Sequence, residues 1–264
     1  MPTSITSRRH PLIEQCRHLA RRRTDTETVL LDGEHLILDA LTAGAIIQAL
    51  LVERGRHPDL VRDARSRGIV VHEVTPALMD AASPVTTSSG AVAIAAWPAA
   101  DLASAFLPAP AMAIGLVDVQ DPGNVGAAIR SADALGATGV IAIGETADPH
   151  GWKALRGAMG STFRLPVVRS EMVEVIAAAR AAGARVFATV ARDGILLDQA
   201  RLDGPVLVLA GNEGAGLKPA AIDHADGRIS VPMRAGVDSL NVAVTTALIL
   251  SEARRQRARP AARS

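Results

Sequence analysis

Residues 113–130 read AIGLVDVQDPGNVGAAIR: an unbroken apolar run, a Pro-Gly turn, then small and apolar residues at helical spacing. A strand that is apolar at every position is covered on both faces, and a helix starting directly after it is half of a parallel α/β unit. The same rhythm recurs downstream. Apolar runs stand at 140–143, 185–190, 206–210 and 229–232 with helical patterns between them, and the last pattern, 241 to about 257, predicts a long helix running into a basic tail. Residues 112–264 are therefore expected to form a parallel-sheet α/β domain.

Upstream, WPAADLASAFLPAPA at 97–111 is rich in Ala and Pro and reads as a linker over 98–111. Residues 1–97 then make a smaller α/β domain. Helical spacing is clear in Leu12, Ile13, Cys16 and Leu19 and again in Leu36, Ile37, Ala40 and Leu41, with strand-like runs at 46–52, 69–74 and 91–96.

Composition narrows the function. With 48% hydrophobic and 21% charged residues, the 264-residue chain is globular and not disordered. A single cysteine, Cys16, allows no internal disulfide, and seven scattered histidines give no zinc-ligand spacing, so no metal is expected. Residues 1–28 lack an apolar signal segment, and the stretch 102–117 is interrupted by Pro108 and Pro110. A cytoplasmic protein with no membrane partner is expected. The net charge of +1 hides an asymmetry: residues 1–23 carry six Arg against one Glu, residues 251–264 five Arg against one Glu, and the middle is acidic. Basic ends suit a polyanionic partner, or they are two solvated termini. Three Phe, two Trp and no Tyr make base stacking on an aromatic sheet unexpected.

In open parallel sheets ligands bind beyond the carboxyl ends of the strands, and three post-strand loops are unusual. In DVQDPGNVGAAIR (118–130), Asn124 lies near a helix start whose amides suit an anion, with Arg130 a little further on. Alternatively Pro122 and Gly123 make a turn, Asn124 caps the helix and Arg130 pairs with Asp133. AGNEGAGL (210–217) lacks both G-x-G-x-x-G spacing and a P-loop lysine, which disfavours a dinucleotide enzyme; its glycines permit close approach to a ligand, or only a tight turn. PMRAGVDSLN (232–241) leads into the last helix, where Asp238 or Ser239 is either an N-cap or a site residue. Together the loops supply Asn124, Arg130, Glu213, Ser239 and Asn241, small polar groups with one cation, a set that suits a hydroxyl and a phosphate. No G-x-S-x-G occurs and every histidine lies outside these loops, so neither a nucleophile elbow nor a histidine base is expected.

At these loops the sequence resembles the SpoU/TrmH group of the SPOUT superfamily, the RNA ribose 2′-O-methyltransferases. Three motifs carry the likeness in order: DPGNVGAAIRSADALGATGV (121–140), VLVLAGNEGAGL (206–217) and ISVPMRAGVDSLNVAVTTALILSEARRQ (229–256). A segment between them, WKALRGAMGSTFRLPV (152–167), matches through Lys153, Arg156, Met159, Gly160 and Phe163. The N-terminal unit, with VLLDGEHLILDAL (29–41), is similar to the family's small substrate-binding domain, itself like an RNA-binding ribosomal-protein fold.

The resemblance implies a catalytic domain tied in a deep trefoil knot, an exception to unknotted topology. It implies S-adenosylmethionine bound by Thr189, Leu209, Ala210, Gly211, Gly216, Ile229, Val231, Met233, Ser239 and Leu240, and a homodimer with its active site near the interface. The substrate is RNA, with ribosomal RNA expected ahead of transfer RNA and a non-catalytic RNA-binding member of the fold as a further alternative. Arg130 becomes the residue acting at the ribose 2′-hydroxyl, with Asn124, Glu213, Ser239 and Asn241 around it. A guanidinium stays protonated to above about pH 12, so gripping the adjacent phosphate and stabilising the developing alkoxide suits Arg130 better than acting as a base.

Overall fold

The computed structural model describes residues 5–21, 27–97, 99–212 and 214–258, which fall into two compact units. The N-terminal unit runs α1 (Pro11–Arg21), β1 (Thr28–Asp32), α2 (Glu34–Thr42), β2 (Ile47–Glu53), α3 (Pro58–Ser66), β3 (Val71–Val74), α4 (Pro76–Ala82) and β4 (Ala91–Ala96). Its sheet has the order β1-β4-β2-β3, with β4 antiparallel to both neighbours and β2 parallel to β3. Strand β1 was not expected from sequence. Only three apolar residues, Val29 to Leu31, precede a charged one, yet Asp32 is buried with them.

The C-terminal unit holds β5 (Met112–Val117), α5 (Pro122–Leu135), β6 (Gly139–Ile143), β7 (Val167–Ser170), α7 (Met172–Ala181), β8 (Arg185–Thr189), β9 (Ile195–Leu196), β10 (Val206–Gly211), α8 (Pro219–Ile222), β11 (Gly227–Ser230) and α9 (Val242–Arg257). Its seven strands are all parallel in the order β7-β6-β5-β10-β8-β11-β9. All residues of β5 and β6 are buried, as an apolar run covered on both faces requires. Strands β7 and β9 were not read from sequence; β9 is two exposed residues recognisable only by their pairing with β11.

Two expected boundaries change. The Pro- and Ala-rich stretch is not a free linker: Ala105 and Phe106 are buried in the C-terminal core, and the Thr138 hydroxyl donates to the Ala105 carbonyl at 2.8 Å. Gly139 makes this possible, since a Cβ there would lie 2.5 Å from the Ala105 Cα. Conversely, residues 150–163 leave the C-terminal unit and join the N-terminal one as α6 (Trp152–Ala158) and a short 3-10 turn. Leu155 is buried among Ile37, Leu50 and Ala93, and the Trp97 and His150 rings meet edge-on with centroids 3.7 Å apart.

Arg156 donates from Nη1 to Asp32 Oδ2 at 3.2 Å, and Ser83 Oγ donates to Oδ1 at 2.8 Å. Burial raises the Asp32 carboxyl above the usual carboxylate range in spite of both partners. The folded state therefore holds this proton more tightly than the unfolded chain does, and stability falls as pH rises through the folded value. Arg156→Ala should cost about 1–2 kcal/mol, discounted for a half-exposed arginine, and the loss should be larger near about pH 8 than near about pH 4. Urea melts at the two pH values check this; an equal loss at both would show that Arg156 acts through packing alone.

Candidate functional site

The carboxyl ends of β8, β10 and β11 converge on one cavity of about 290 Å³. Thr189 ends β8, Ala210 and Gly211 end β10, and Ile229 and Val231 lie at the end of β11. Asn212 and residues 214–217 of the glycine loop and the segment 233–245 close the remaining sides through Gly216, Met233, Ser239 and Leu240, with Thr245 from the first turns of α9. Of the residues expected at the cofactor, only Leu209 is absent from the wall. Its side chain is fully buried in the core, and a Cβ on Gly115 would touch it at 2.8 Å.

The glycine loop folds back on its own strand. A Cβ on Gly211 would lie 2.5 Å from the Gly216 carbonyl carbon and 2.6 Å from the Leu217 nitrogen, so the position has room for hydrogen alone. Asn212, which the sequence did not single out, holds the turn: its Oδ1 accepts from the Gly214 nitrogen at 2.8 Å and its Nδ2 donates to the Asp118 carbonyl at 3.2 Å. Asp118 adopts a left-handed conformation, φ +55°, directly after β5. The Lys218 ammonium, 2.7 Å away, and then the Glu145 amide hold its carboxyl below the usual carboxylate range. The first loop and the glycine loop are thus pinned together by one aspartate. Glu213, expected here, lies outside the described residues.

The helix starts differ from expectation in a way that matters for the polar cluster. Asp121, not Asn124, caps α5, its carboxylate accepting from the Asn124 nitrogen at 2.9 Å. Asn241, not Asp238 or Ser239, caps α9, with its Oδ1 accepting from the Ala243 nitrogen at 2.9 Å. That leaves the Asn241 amide free to donate to Asn124 Oδ1 at 2.8 Å, which ties the starts of α5 and α9 together. Asp238 and Ser239 instead line the cavity, and Asp238 pairs with Arg192 at 3.2 Å.

Arg130 does not pair with Asp133, which is held by Arg164 at 2.8 Å. It is exposed on α5, has no ion-pair partner among the described residues and does not line the cavity. Six residues separate it from Asn124, a rise of about 9 Å along the helix. The structure thus joins Asn124 with Asn241 and puts Ser239 in the wall, but leaves Arg130 apart from the cavity of its own chain. Among the described residues no group of three or more His, Cys, Asp or Glu side chains is placed to hold a metal ion, and no helix is long and apolar enough to cross a membrane.

Comparison with known proteins bears on both units. The model of the SpoU rRNA Methylase family matches residues 111–251, and that of RNA 2′-O ribose methyltransferase substrate binding matches residues 30–98. The chain is similar to the 23S rRNA (guanosine(2553)-2′-O)-methyltransferase RlmP of Bacillus subtilis, with 32% identity over 88% of this chain and 91% of that one. An AdoMet-bound rRNA methyltransferase from Sinorhizobium meliloti superposes with a TM-score of 0.84 at 32% identity, covering 96% of this chain and 97% of that chain. The SpoU methyltransferase AviRb from Streptomyces viridochromogenes, in complex with AdoMet, does so at 0.83 with 30% identity over 94% and 98%. The resemblance carried by the three motifs is borne out in both units.

Proposed function

Because the chain belongs to the SpoU rRNA methylase family, we propose that it methylates a ribose 2′-hydroxyl of ribosomal RNA with S-adenosylmethionine as donor, acting as a cytoplasmic homodimer. The observation that carries this reading is the cavity at the ends of β8, β10 and β11. Ile229, Val231, Met233 and Leu240 give it apolar walls suited to a flat purine, and Thr189, Ser239 and Thr245 give it polar edges. Gly211 keeps its floor bare of side chains. S-adenosylmethionine, when bound, supplies a methyl group on a sulfonium, an electrophile that needs no further activation.

What remains for the chain is to hold the ribose oxygen in line and to manage its proton. We assign Asn124, Asn241, Ser239 and Glu213 to the ribose hydroxyl, whose proton leaves through a neighbouring polar group or water. We assign Arg130 to the adjacent phosphate and the developing alkoxide, a task for a fork of fixed N–H donors. The homodimer reading is supported by α9, where Val244 and Leu248, one turn apart, are 48% and 40% exposed. The trefoil knot belongs to the same proposal. It is supported by β10 lying between the earlier strands β5 and β8, and by α9, after β11 at the far side of β8, returning to pack on α5.

Nucleoside mass spectrometry of ribosomal and transfer RNA from a strain lacking the gene tests the substrate. A 2′-O-methylated nucleoside should disappear from ribosomal RNA; a loss confined to transfer RNA would redirect the assignment.

A further inference from the structure

The two basic ends of the chain fare differently in the fold. At the C-terminal end, Arg257 donates to the carbonyls of Leu202, Gly204, Pro110 and Ala111, Arg255 pairs with Glu252, and Arg254 donates to the Ala134 carbonyl. These arginines fasten α9. At the N-terminal end, α1 buries Ile13, Cys16 and Leu19 and turns Arg17 and Arg21, one helical turn apart, outward.

Among the described residues, arginines line two of the clefts in the N-terminal unit, one of them neutralised from within and the other not. In the first, Arg56, Arg62 and Arg65 each have a carboxylate partner, in Glu53, Asp59 and Glu73. In the second, of about 680 Å³, Arg8, Arg17, Arg21 and Lys153 converge around Trp152 with Asp80 as the one acid in the wall. None of these four cations is paired with a described residue. The Lys153 ammonium lies 5.5 Å from the centroid of the half-buried Trp152 ring, a cation–π contact that leaves its charge uncancelled. The cleft exists because 150–163 crosses into this unit, placing the first turn of α6 beside α1. All five residues lie outside the 30–98 stretch matched by the substrate-binding model.

We infer that this cleft binds a single-stranded segment of the RNA substrate, with Arg8, Arg17, Arg21 and Lys153 on backbone phosphates and Trp152 stacking on a base. The inference rests on the RNA methyltransferase reading and adds where the RNA is held away from the reacting ribose. Cations lining a groove beside an aromatic ring are what sequence-tolerant binding of single strands requires. An acidic protein surface would use the charges and leave the indole without a purpose.

Binding of a 23S rRNA transcript to the full chain tests this by fluorescence anisotropy across a salt series. The triple variant Arg17→Ala/Arg21→Ala/Lys153→Ala should weaken binding by about tenfold or more and flatten the slope of log Kd against log salt by about 2 to 3, because three counterion-releasing contacts are lost. Trp152→Ala should weaken binding by about fivefold or more with the slope unchanged. Arg17→Lys/Arg21→Lys should keep the wild-type slope, and Arg62→Ala/Arg65→Ala, in the neutralised cleft, should change neither quantity. Urea melts should give the wild-type midpoint for every variant, which shows that the N-terminal unit is folded, and calorimetry with S-adenosylmethionine the wild-type affinity, since the cavity lies in the other unit. A triple variant with wild-type Kd and slope, in a protein that methylates the transcript, overturns the site alone. Displacement of the RNA by polyglutamate at matched charge overturns it in favour of an acidic protein. A wild-type protein that neither binds nor methylates RNA overturns the methyltransferase reading together with the site.

Discussion

Gly211→Ala should weaken S-adenosylmethionine binding by at least about a hundredfold in calorimetry, since any new atom here meets backbone and not a flexible side chain. The added Cβ would lie 2.5 Å from the Gly216 carbonyl carbon, 2.6 Å from the Leu217 nitrogen and 2.7 Å from the Gly216 oxygen. The glycine loop cannot step aside cheaply. Its start is tied to the Asp118 carbonyl by Asn212, and the residue after it, Lys218, is tied to the Asp118 carboxylate. A shift of the loop would therefore move the cavity wall and the turn after β5 together. Gly214→Ala is the matched control in the same loop, because its nearest contact, Asn212 Oδ1 at 3.5 Å, is an ordinary one. It should bind the cofactor within a few fold of wild type. Gly211→Val should fail more completely than the alanine variant, and full affinity in the valine variant would place the cofactor elsewhere.

The sequence made this cavity legible because its parts are local. Each wall begins where a continuous apolar run ends in glycine or a polar loop, as at Ala210 and Gly211, and a period or a spacing can show that. What it concealed depends on pairing between distant residues. Strand β1 is hidden because a run closed by Asp32 looks like a solvated turn unless Arg156, over a hundred residues later, is known to meet it. The stretch 97–111 has linker composition, and nothing in it announces that Gly139 leaves room for Ala105. Arg130 and Asp133 have ideal helical spacing, yet Arg164 takes the aspartate from outside the helix. The cap of α9 is hidden for the same reason: in DSLN three residues can cap, and Asn241 does so while its amide reaches the distant Asn124. The crossing of 150–163 into the N-terminal unit also bears on experiment. Deleting residues 1–99 would strip the cover from Leu155 and the partners of Trp97 and Asp32, so point variants in the intact chain are the cleaner probes of RNA capture.

Arg130→Ala should lower the single-turnover rate of methyl transfer by about 10²–10³-fold, the cost of removing a donor aimed at developing charge. Cofactor affinity should stay within a few fold, because Arg130 is not in the cavity wall and no described residue depends on it for an ion pair. Arg130→Lys keeps the charge but loses the planar fork, and should recover only part of the rate. An unchanged rate in the alanine variant would remove Arg130 from the mechanism. In the homodimer proposed above, its distance from the cavity of its own chain, on a helix packed beside the exposed apolar face of α9, would have it serve the cavity of the other subunit. Mixed dimers decide this. In a pairing of an Arg130→Ala chain with a Gly211→Val chain, a site built within one chain is inactive in both halves, since one lacks the arginine and the other the cofactor. A site shared across the interface has one intact half, formed by the cavity of the first chain and the arginine of the second. Mixing two variants that are each inactive should therefore restore a measurable fraction of wild-type activity, and mixtures that stay inactive despite confirmed exchange of subunits would return Arg130 to its own chain.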